Sequence, residues 1–276
     1  MTMAAGAQPL WGSWASLEPA IRTAGHLLLF LDYDGTLTPI ADHPAKARLP
    51  AETKQLLRQL CRRKDVWVVL ISGRSVKDLR AMVGLKGLCY VGNHGLELTN
   101  PSFRYTNPAA RSARPFLKEI AKRLKRLFKK IPGAWLEDKR LSLSLHYRTV
   151  APDQVLLVRN GFYEAVSPFV ERKQVHVTTG KEVFEVRPPV HWSKGTIVHW
   201  LLARCQAGQP EASIFSIYVG DDETDEDAFQ ALKTHAVTVS VGSATPLTSA
   251  QYLVGSPEDV SQLLKRILSL RARRGS

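Results

Sequence analysis

Two aspartates separated by one residue follow an apolar run near the start of the chain. The segment LLLFLDYDGTL places Asp32 and Asp34 directly after that run, and Gly35 allows the backbone to turn away. In open α/β sheets, ligands bind at the carboxyl ends of the strands. Two carboxylates that converge there could divide a reaction, one attacking as a nucleophile while the other moves protons. Taken alone, the motif is more often a solvated Asp-Gly turn after a core strand.

A second acidic group lies far along the chain. The segment IYVGDDETDEDAF also follows an apolar run, and its acids include Asp221, Asp222, Asp225, Glu226 and Asp227. Some of them suit an ordinary helix start, because acids in the first turn interact favourably with the helix dipole. A cluster this dense would repel itself unless it held a cation. Oxygen ligands without a neighbouring His or Cys favour magnesium over zinc.

Two further segments could hold a phosphate group. VLISGRS ends an apolar run with Ser72, Gly73 and Arg74, and in HWSKG Lys194 opens a helix whose predicted N-cap is Ser193. A hydroxyl, exposed backbone N–H groups and an ammonium at a helix start are the donors that a phosphate dianion needs. Each segment alone is typical of a loop or a solvated first helical turn. Together with the two acidic motifs, they favour a single site that handles phosphate.

The pattern of apolar residues predicts the elements that position these motifs. Short continuous apolar runs, typical of strands buried on both faces, occupy residues 26–31, 66–71, 88–91, 214–219 and 236–241. Helical patterns lie between them, at residues 50–61, 76–83, 194–205 and 225–233. This alternation predicts an α/β fold with a parallel sheet covered by helices. Three of the four motifs then meet at the carboxyl edge of that sheet.

Residues 101–187 break this alternation. A helical pattern at 109–131 precedes a strand pair at 134–137 and 141–148, and a helix at 152–169 precedes a second pair at 174–178 and 182–186. The predicted turns lie at Asp138 and Lys139 and at Thr179 and Gly180. This α-β-β-α-β-β order predicts an inserted α+β cap domain. We therefore expect a core formed by residues 1–100 and 188–276 and a cap domain formed by residues 101–187.

The net charge of +13 is concentrated in the predicted cap domain. Residues 101–187 contain 18 Lys and Arg against 8 Asp and Glu, and so carry +10 of that charge. A basic cap would attract an anionic substrate. The basic face of its first helix, which includes Lys118, Lys122, Lys125, Arg126 and Lys129, is equally typical of a solvated helix face. Because this helix lacks interleaved aromatic residues, nucleic acid is not expected as a partner.

The ends of the chain predict neither export nor a membrane span. The first 20 residues lack a basic leader and an uninterrupted apolar stretch, and the apolar run at 27–31 is far shorter than the roughly 20 residues a spanning helix needs. Three widely spaced cysteines, Cys61, Cys89 and Cys205, are typical of reduced, partly buried side chains. We expect a cytoplasmic protein with no membrane partner, and a frayed basic tail at residues 271–276.

With these motifs in place, the chain resembles the haloacid dehalogenase-like (HAD) phosphatase superfamily, whose four motifs are matched in order by DYDGT, ISGR, SKG and GDDETD. Within the superfamily it is similar to the trehalose-6-phosphate phosphatases. That likeness is carried by GNHG at 92–95, LEDKRLSLSLHYR at 136–148, GKEVFEVRP at 180–188 and GDDETDEDAF at 220–229, and it covers nearly all of the chain beyond residue 25. It implies a HAD-like Rossmannoid core and a Mg²⁺-dependent phosphomonoesterase that converts trehalose 6-phosphate to trehalose and phosphate through an aspartyl-phosphate.

The resemblance also implies roles for the matched residues. Asp32 would be the nucleophile, and Asp34 would be the general acid and then the general base. Magnesium would be bound by a carboxylate oxygen of Asp32, the backbone carbonyl of Asp34 and the carboxylate of Asp221, with Asp225 in support. The phosphate oxygens would be held by Thr36, Ser72 and Lys194. Contacts with sugar hydroxyls or placement of the cap would involve a larger set: Arg74, Asn93, His94, Glu137, Arg148, Lys181 and Glu185.

The sequence resembles the free-standing form of these phosphatases, and the functional partner that the resemblance suggests is a trehalose-phosphate synthase. Two alternatives stay open. A phosphatase of the same architecture could act on sucrose phosphate or mannosyl-phosphoglycerate, because only the predicted cap residues would distinguish these substrates. A protein of a different class could use the basic segment to bind nucleic acid or another anionic partner without catalysis. Magnesium-dependent release of phosphate from a panel of sugar phosphates would separate all three.

Overall fold

The computed structural model describes residues 6–41, 44–180, 182–209, 211–243 and 248–272. The strands are β1 (Gln8–Pro9), β2 (His26–Asp32), β3 (Val66–Ile71), β4 (Cys89–Gly92), β5 (Glu97–Thr99), β6 (Arg104–Thr106), β7 (Trp135–Asp138), β8 (Leu143–His146), β9 (His176–Gly180), β10 (Val183–Arg187), β11 (Ile214–Gly220), β12 (Val237–Val241) and β13 (Tyr252–Val254). The α-helices are α1 (Trp14–Thr23), α2 (Ala51–Cys61), α3 (Val76–Val83), α4 (Pro108–Phe128), α5 (Pro152–Glu171), α6 (Lys194–Gly208), α7 (Glu223–Leu232) and α8 (Pro257–Ala272).

The main sheet has nine strands among the described residues, in the order β1-β13-β12-β11-β2-β3-β4-β5-β6. Neighbouring strands from β1 to β4 run parallel, and β5 is antiparallel to β4. Strand β2 lies in the middle of this sheet, and its residues 27–31 are buried. A continuous apolar run is what a strand covered on both faces requires. The predicted α/β core with a parallel sheet is therefore confirmed.

The register of the central strands brings the motif residues to one edge of the sheet. Leu31 lies opposite Val219 on β11, and Asp32 lies opposite Ile71 on β3. The residues that directly follow β3 and β11, which begin with Ser72 and Asp221, therefore flank Asp32 at the carboxyl edge. This is the edge at which open α/β sheets bind ligands.

Residues 105–191 form a second compact unit, and residues 1–104 and 192–276 form the first. The boundaries predicted from the sequence lie four residues before these two positions. The second unit is an antiparallel sheet in the order β7-β8-β10-β9, with α4 and α5 packed together. Its own apolar core includes Leu117, Leu124 and Phe162. Helix α4 starts where it does because the Asn107 side chain accepts hydrogen bonds from the first free backbone N–H groups of the helix.

The second hairpin of this unit differs from its prediction. The turn was expected at Thr179 and Gly180, but β9 continues through Gly180, which pairs with Val183 on β10. The two strands therefore extend further than their apolar pattern indicates, because backbone pairing does not require apolar side chains. Lys181, which joins these strands, lies outside the described residues.

The termini hold elements that the sequence pattern did not predict. Strands β1 and β13 extend the main sheet, and α8 packs against α1 and α2 through an apolar stripe that includes Ile267 and Leu270. The expected frayed tail is wrong for Arg271, which is fully buried and donates a hydrogen bond to the carbonyl oxygen of Ala24 at 2.8 Å. Because α8 packs on α1 and α2, Arg271 lies at the edge of the sheet where β2 begins. Among the described residues, no helix has the length and apolarity needed to cross a membrane.

Candidate active site

Asp32 is the last residue of β2, and its side chain is almost completely buried. The chain then turns through Gly35, whose φ of +84° is a conformation that side chains rarely adopt. A Cβ atom at Gly35 would lie 2.0 Å from Oδ2 of Asp221. Glycine therefore lets the loop after β2 pass close to the loop after β11, and this brings the carboxylates of Asp32 and Asp221 together.

Lys194 supplies the positive charge beside Asp32. It is the first residue of α6, after the N-cap Ser193, and only 2% of its surface is exposed. Its Nζ lies 2.7 Å from Asp32, 2.9 Å from Asp225 and 3.4 Å from Asp222. Burial alone would lower the pKa of Lys194, but the neighbouring carboxylates outweigh burial and hold that pKa well above its usual value. The lysine therefore stays charged in the site.

Asp225 organises the start of α7. Its Oδ2 accepts hydrogen bonds from the backbone N–H groups of Asp221 and Asp222, and its Oδ1 accepts from Lys194 and from the hydroxyl of Tyr218 at 2.6 Å. Asp222 is the N-cap of α7 and forms a capping box with Asp225. Four donors therefore engage the two oxygens of Asp225, so this carboxylate fixes the loop rather than standing open to a ligand.

The carboxylates of Asp32, Asp221 and Asp225 each offer an oxygen, and these oxygens lie within 4.8 Å of one another. Burial raises the pKa of Asp32 well above its usual range. The charge of Lys194 lowers this pKa, and the charges of the other acids raise it further. Burial, together with the charges of Asp225 and Asp222, raises the pKa of Asp221 to about 7. Oxygen ligands that are buried and repel one another fit a divalent cation such as Mg²⁺. Because Asp225 is engaged elsewhere, Asp32 and Asp221 are the ligands this geometry favours.

Asp34 is held by Arg74 in a two-point ion pair. Arg74 Nε lies 2.7 Å from Oδ2 and Nη2 lies 2.6 Å from Oδ1 of Asp34, and Nη2 also donates to the carbonyl oxygen of Pro44. Two parallel bonds fix the orientation of a carboxylate as well as its position. The resemblance implied that Arg74 contacts the sugar or positions the cap; in the structure its guanidinium binds Asp34.

The hydroxyls expected to hold phosphate are buried beside these carboxylates. Thr36 donates a hydrogen bond to Oδ1 of Asp221 at 2.8 Å, and Ser72 accepts one from the backbone N–H of Arg74 at 3.1 Å. Both residues lie on loops that follow central strands, β2 and β3. These contacts place the two hydroxyls next to the acidic cluster and tie them to its loops.

The loop after β4 contains Asn93 and His94, two non-glycine residues with positive φ. Its backbone N–H groups donate to the carbonyl oxygens of Arg74 and Ser72, so this loop docks on the loop after β3. The Asn93 amide donates to Glu97 at 2.7 Å. His94 packs so close to Gly73 that a Cβ atom there would lie 2.5 Å from its Nε2. The structure thus brings His94 to the edge that holds Asp32 and gives Asn93 a bond that supports the loop.

A second polar cluster lies on the sheet of the second unit. Lys139 is 7% exposed, and its Nζ lies 3.3 Å from Glu185 and 3.8 Å from Glu137. Glu185 also accepts hydrogen bonds from Ser144 and Arg187, and Glu137 pairs with His146 at 3.2 Å. The cross-strand register puts Glu137 and Glu185 on either side of Ser144, and this explains why they share one lysine.

Arg148 lies apart from this cluster as an exposed ion pair. Its Nε is 3.4 Å from Glu182, and more than half of each side chain is exposed. The predicted set in the second unit is therefore divided: Glu137 and Glu185 are brought together, Arg148 lies on the surface, and Lys181 is not among the described residues.

Comparison with known proteins identifies the family of this site. The sequence profile described as trehalose-phosphatase matches residues 30–256 of the chain. The chain belongs to the trehalose-phosphatase family. Trehalose-phosphate phosphatase from Mycobacterium leprae is 35% identical over 255 residues, which are 89% of this chain and 58% of that protein. The enzyme from Mycobacterium tuberculosis strain H37Rv is 37% identical over 243 residues, or 87% of this chain and 60% of that one. The chain thus spans about three fifths of the length of these curated relatives.

Solved structures support the same family. A trehalose-6-phosphate phosphatase structure from Aspergillus fumigatus is 29% identical with a TM-score of 0.66, covering 96% of this chain and 99% of that one. The C-terminal domain of the C. albicans enzyme gives a TM-score of 0.78 at 26% identity, covering 97% and 99%. A haloacid dehalogenase-like hydrolase from Bacteroides thetaiotaomicron, at 16% identity and a TM-score of 0.59, shares the fold. The fold of this trehalose-phosphatase family member is therefore HAD-like.

Sequence reasoning missed several polar residues of the two clusters. Lys139 lies in the connection between β7 and β8, where the turn was predicted, but its contacts with Glu137 and Glu185 were not predicted. Asp222 was read as part of a helix start, and the structure adds its contact with Lys194. Tyr218 was not considered, because a tyrosine inside a buried strand shows no pattern that predicts its hydrogen bond with Asp225. Glu97 was not considered either, because a glutamate in a short strand shows no pattern that predicts its hydrogen bond with Asn93.

Proposed function

We propose that this chain hydrolyses trehalose 6-phosphate to trehalose and phosphate, through a covalent phosphate on Asp32 and with Mg²⁺ as cofactor. The observation that supports this most is the pairing of buried Asp32 with the Lys194 ammonium at 2.7 Å, beside the acidic cluster and at the carboxyl edge of the sheet. The trehalose-phosphatase match gives the substrate class.

In the first step, a carboxylate oxygen of Asp32 attacks phosphorus, and the bond between phosphorus and the sugar oxygen breaks. Lys194 stays within hydrogen-bond distance of Asp32 and offsets the negative charge of the phosphate oxygens. Thr36 and Ser72 lie where their hydroxyls can hold these oxygens. When bound at Asp32, Asp221 and the backbone carbonyl of Asp34, Mg²⁺ supplies further positive charge and orients the phosphate.

Asp34 moves the proton in both halves of the reaction. In its protonated form it gives a proton to the departing sugar oxygen, and it is protonated again when it takes a proton from the water whose oxygen attacks phosphorus and releases Asp32. Arg74 orients Asp34 through two bonds of 2.7 and 2.6 Å, so its role is to position the proton-transfer group. Because each bond made at phosphorus replaces one that breaks, Asp32 returns to its free carboxylate after each turnover.

Recognition of the sugar is assigned to His94 and Asn93 and to the polar residues of the second unit. In that unit, Glu137 and Glu185 can accept hydrogen bonds from sugar hydroxyls, and Arg148 and Lys181 can donate them. This assignment rests on the motifs and on the buried lysine that holds the two glutamates. We also place the chain in the cytoplasm, with its substrate supplied by a trehalose-phosphate synthase.

Phosphate release from trehalose 6-phosphate tests the proposal, with sucrose 6-phosphate and mannosyl-3-phosphoglycerate measured in parallel. Wild type with Mg²⁺ should be active, and both EDTA treatment and Asp32→Asn should lower kcat by at least about 10⁴-fold. Asp227→Asn is the matched control, because Asp227 is an exposed acid of the same run. A higher kcat/KM on another sugar phosphate would overturn the substrate, and an active Asp32→Asn protein would overturn the mechanism.

A further inference from the structure

A cavity of about 430 Å³ lies in the first unit, near the edge where β4 begins. It is bordered by the end of α3, the segment that leads into β4, and the hairpin from β5 to β6. Its lining residues are Arg80, Leu85, Lys86, Gly87, Leu88, Tyr90, Thr99, Asn100, Pro101, Ser102, Phe103 and Arg104. We propose that this cavity is a second anion site, which binds a small molecule carrying more than one phosphate group.

This cavity is separate from the candidate active site. Strand β4 is parallel to β3, so its last residue, Gly92, lies near the edge that holds Asp32, and the cavity lies before its first residue, Cys89. Strand β5 runs antiparallel and returns the chain to the cavity, where Thr99 lies opposite Tyr90. At about 3.3 Å per residue, the length of β4 alone puts roughly 10 Å between the two edges. A ligand in this cavity would not touch the reacting groups.

The charge of the lining points to an anion. Arg80, Lys86 and Arg104 contribute three positive charges, and none of the residues that line the cavity is an aspartate or a glutamate. Arg80 and Tyr90 both line this cavity. Three cations on one concave wall repel one another, and a bound anion removes that repulsion while it accepts charge-assisted hydrogen bonds.

The wall of the cavity is held in place before any ligand binds. Asn100 Oδ1 accepts hydrogen bonds from the backbone N–H groups of Ser102 and Phe103, both at 2.8 Å, and this fixes the hairpin. The Phe103 ring packs under Arg204, whose Cζ is 4.9 Å from the ring centroid, and edge-on to Trp200. Tyr90 donates its hydroxyl to the carbonyl oxygen of Leu85 at 2.6 Å. Pre-formed cavities of roughly 300–1,000 Å³ are typical of small-molecule sites.

The size and charge together define the ligand class. A cavity of this volume is too small for a polymer and large enough for pyrophosphate or a sugar bisphosphate. Three cations match the charge of two phosphate groups. A ligand with a single carboxylate would leave most of that positive charge uncompensated. This inference does not depend on the proposed phosphatase activity, because it concerns other residues and a different edge of the sheet.

Calorimetric titration of the metal-free full chain tests the site, with inorganic pyrophosphate and fructose 1,6-bisphosphate as separate probes. In the cavity variant, Arg80, Lys86 and Arg104 are all replaced by Gln. In the matched control, Arg111, Arg114 and Lys118 of α4 are replaced by Gln, which removes the same number and types of exposed charges. The affinity for at least one probe should fall by about tenfold or more in the cavity variant and stay within about twofold of wild type in the control.

Three results would overturn the site. Equal weakening in both variants would show a general charge effect, and unchanged binding in the cavity variant would show that the probe binds only elsewhere, for example at the candidate active site. Lack of binding to wild type at millimolar probe would also exclude it. Loss for fructose 1,6-bisphosphate alone would assign the site to organic phosphates, and loss for pyrophosphate would show that phosphate groups suffice. Thermal unfolding of both variants establishes that they are folded.

Discussion

Each of the two compact units places a lysine between two carboxylates, but the surroundings differ. In the first unit, Lys194 lies 2.7 Å from Asp32 and 2.9 Å from Asp225, and the exposed fraction of these three side chains is 5% or less. In the second unit, Lys139 lies 3.3 Å from Glu185 and 3.8 Å from Glu137, whose side chains are 16% and 22% exposed. The ion pairs of Lys194 are therefore shorter than those of Lys139, and the side chains around Lys194 are less exposed to solvent and more tightly constrained.

The difference follows from the elements that carry the residues. Asp32 ends a central strand, Lys194 follows an N-cap serine, and Asp225 belongs to a capping box, so backbone hydrogen bonds fix all three. Glu137 and Glu185 project from the face of an antiparallel sheet on longer side chains. A site that stabilises a reacting phosphate needs the first kind of geometry, whereas recognition of several hydroxyls can use the second.

Replacing the lysine of the first cluster should have the largest effect. In Lys194→Met, the buried carboxylates of Asp32 and Asp225 lose their counter-charge, so kcat should fall by about 10³-fold. The free energy of unfolding should fall by about 3–5 kcal/mol, as expected when one partner of a buried ion pair is removed. Enzyme assays and urea unfolding measure the two effects, with Lys233→Met at an exposed position as control. Unfolding and turnover close to wild type would show that the cluster does not need this charge.

Arg74→Lys should have the next largest effect, because lysine cannot form both bonds to Asp34. We expect kcat to fall by about 10²-fold with little change in KM. The matched control is Arg63→Lys, which changes another arginine that binds an aspartate through two nitrogens, here Asp65 at 3.0 and 3.3 Å. A rise in KM at unchanged kcat would instead place Arg74 on the substrate, as the family resemblance implied.

Metal affinity should depend on pH through the first cluster alone. The pKa of Asp221 is raised to about 7 mainly by burial, so below that pH its carboxyl holds a proton that Mg²⁺ must displace. Mg²⁺ should therefore bind about tenfold more tightly at pH 8 than at pH 6. Calorimetric titration measures this, and Asp221→Asn should weaken binding and reduce the dependence to the part that comes from Asp32, while Asp227→Asn retains all of it. Equal affinity at both pH values in wild type would contradict the account.

The raised pKa of Asp221 also determines whether the stability of the metal-free protein rises or falls with pH. Between the usual aspartate pKa near 4 and the folded value near 7, the folded state binds more protons than the unfolded state. The contribution of Asp221 to stability is therefore complete below about pH 4 and is lost as the pH rises to about 7. Melting temperatures of wild type compared with Asp221→Asn over this range isolate that contribution.

Replacing the lysine of the second cluster should have the smallest effect on catalysis. Lys139→Met should raise KM for trehalose 6-phosphate several-fold and leave kcat largely unchanged, because this cluster is assigned to the ground-state binding of sugar hydroxyls. Lys173→Met, at an exposed position in the same unit, is the control. A fall in kcat as large as that of Lys194→Met would remove the functional contrast between the two clusters.

The sequence predicted the backbone frame of the first cluster better than the partners of its side chains. Continuous apolar runs and the acids, glycines and serine that follow them were enough to bring Asp32, Ser72 and Asp221 to one edge, since parallel strands have one carboxyl edge. Lys194 opens a helix, so only its motif and the family resemblance connected it with these residues. The partner of Arg74 could not be read from the sequence, because it depends on how two loops approach each other. Arg271 was misjudged for the same reason: a basic residue at a chain end becomes buried only through the docking of α8.

The most direct test of the account is to trap the phosphorylated enzyme. Wild type mixed with trehalose 6-phosphate and Mg²⁺ is quenched in acid within one turnover, and the peptides are analysed by mass spectrometry. We predict a phosphate on the peptide that contains Asp32, located at that residue, and its absence in Asp32→Asn. A phosphate trapped on another residue would contradict the account, as would continued turnover by Asp32→Asn.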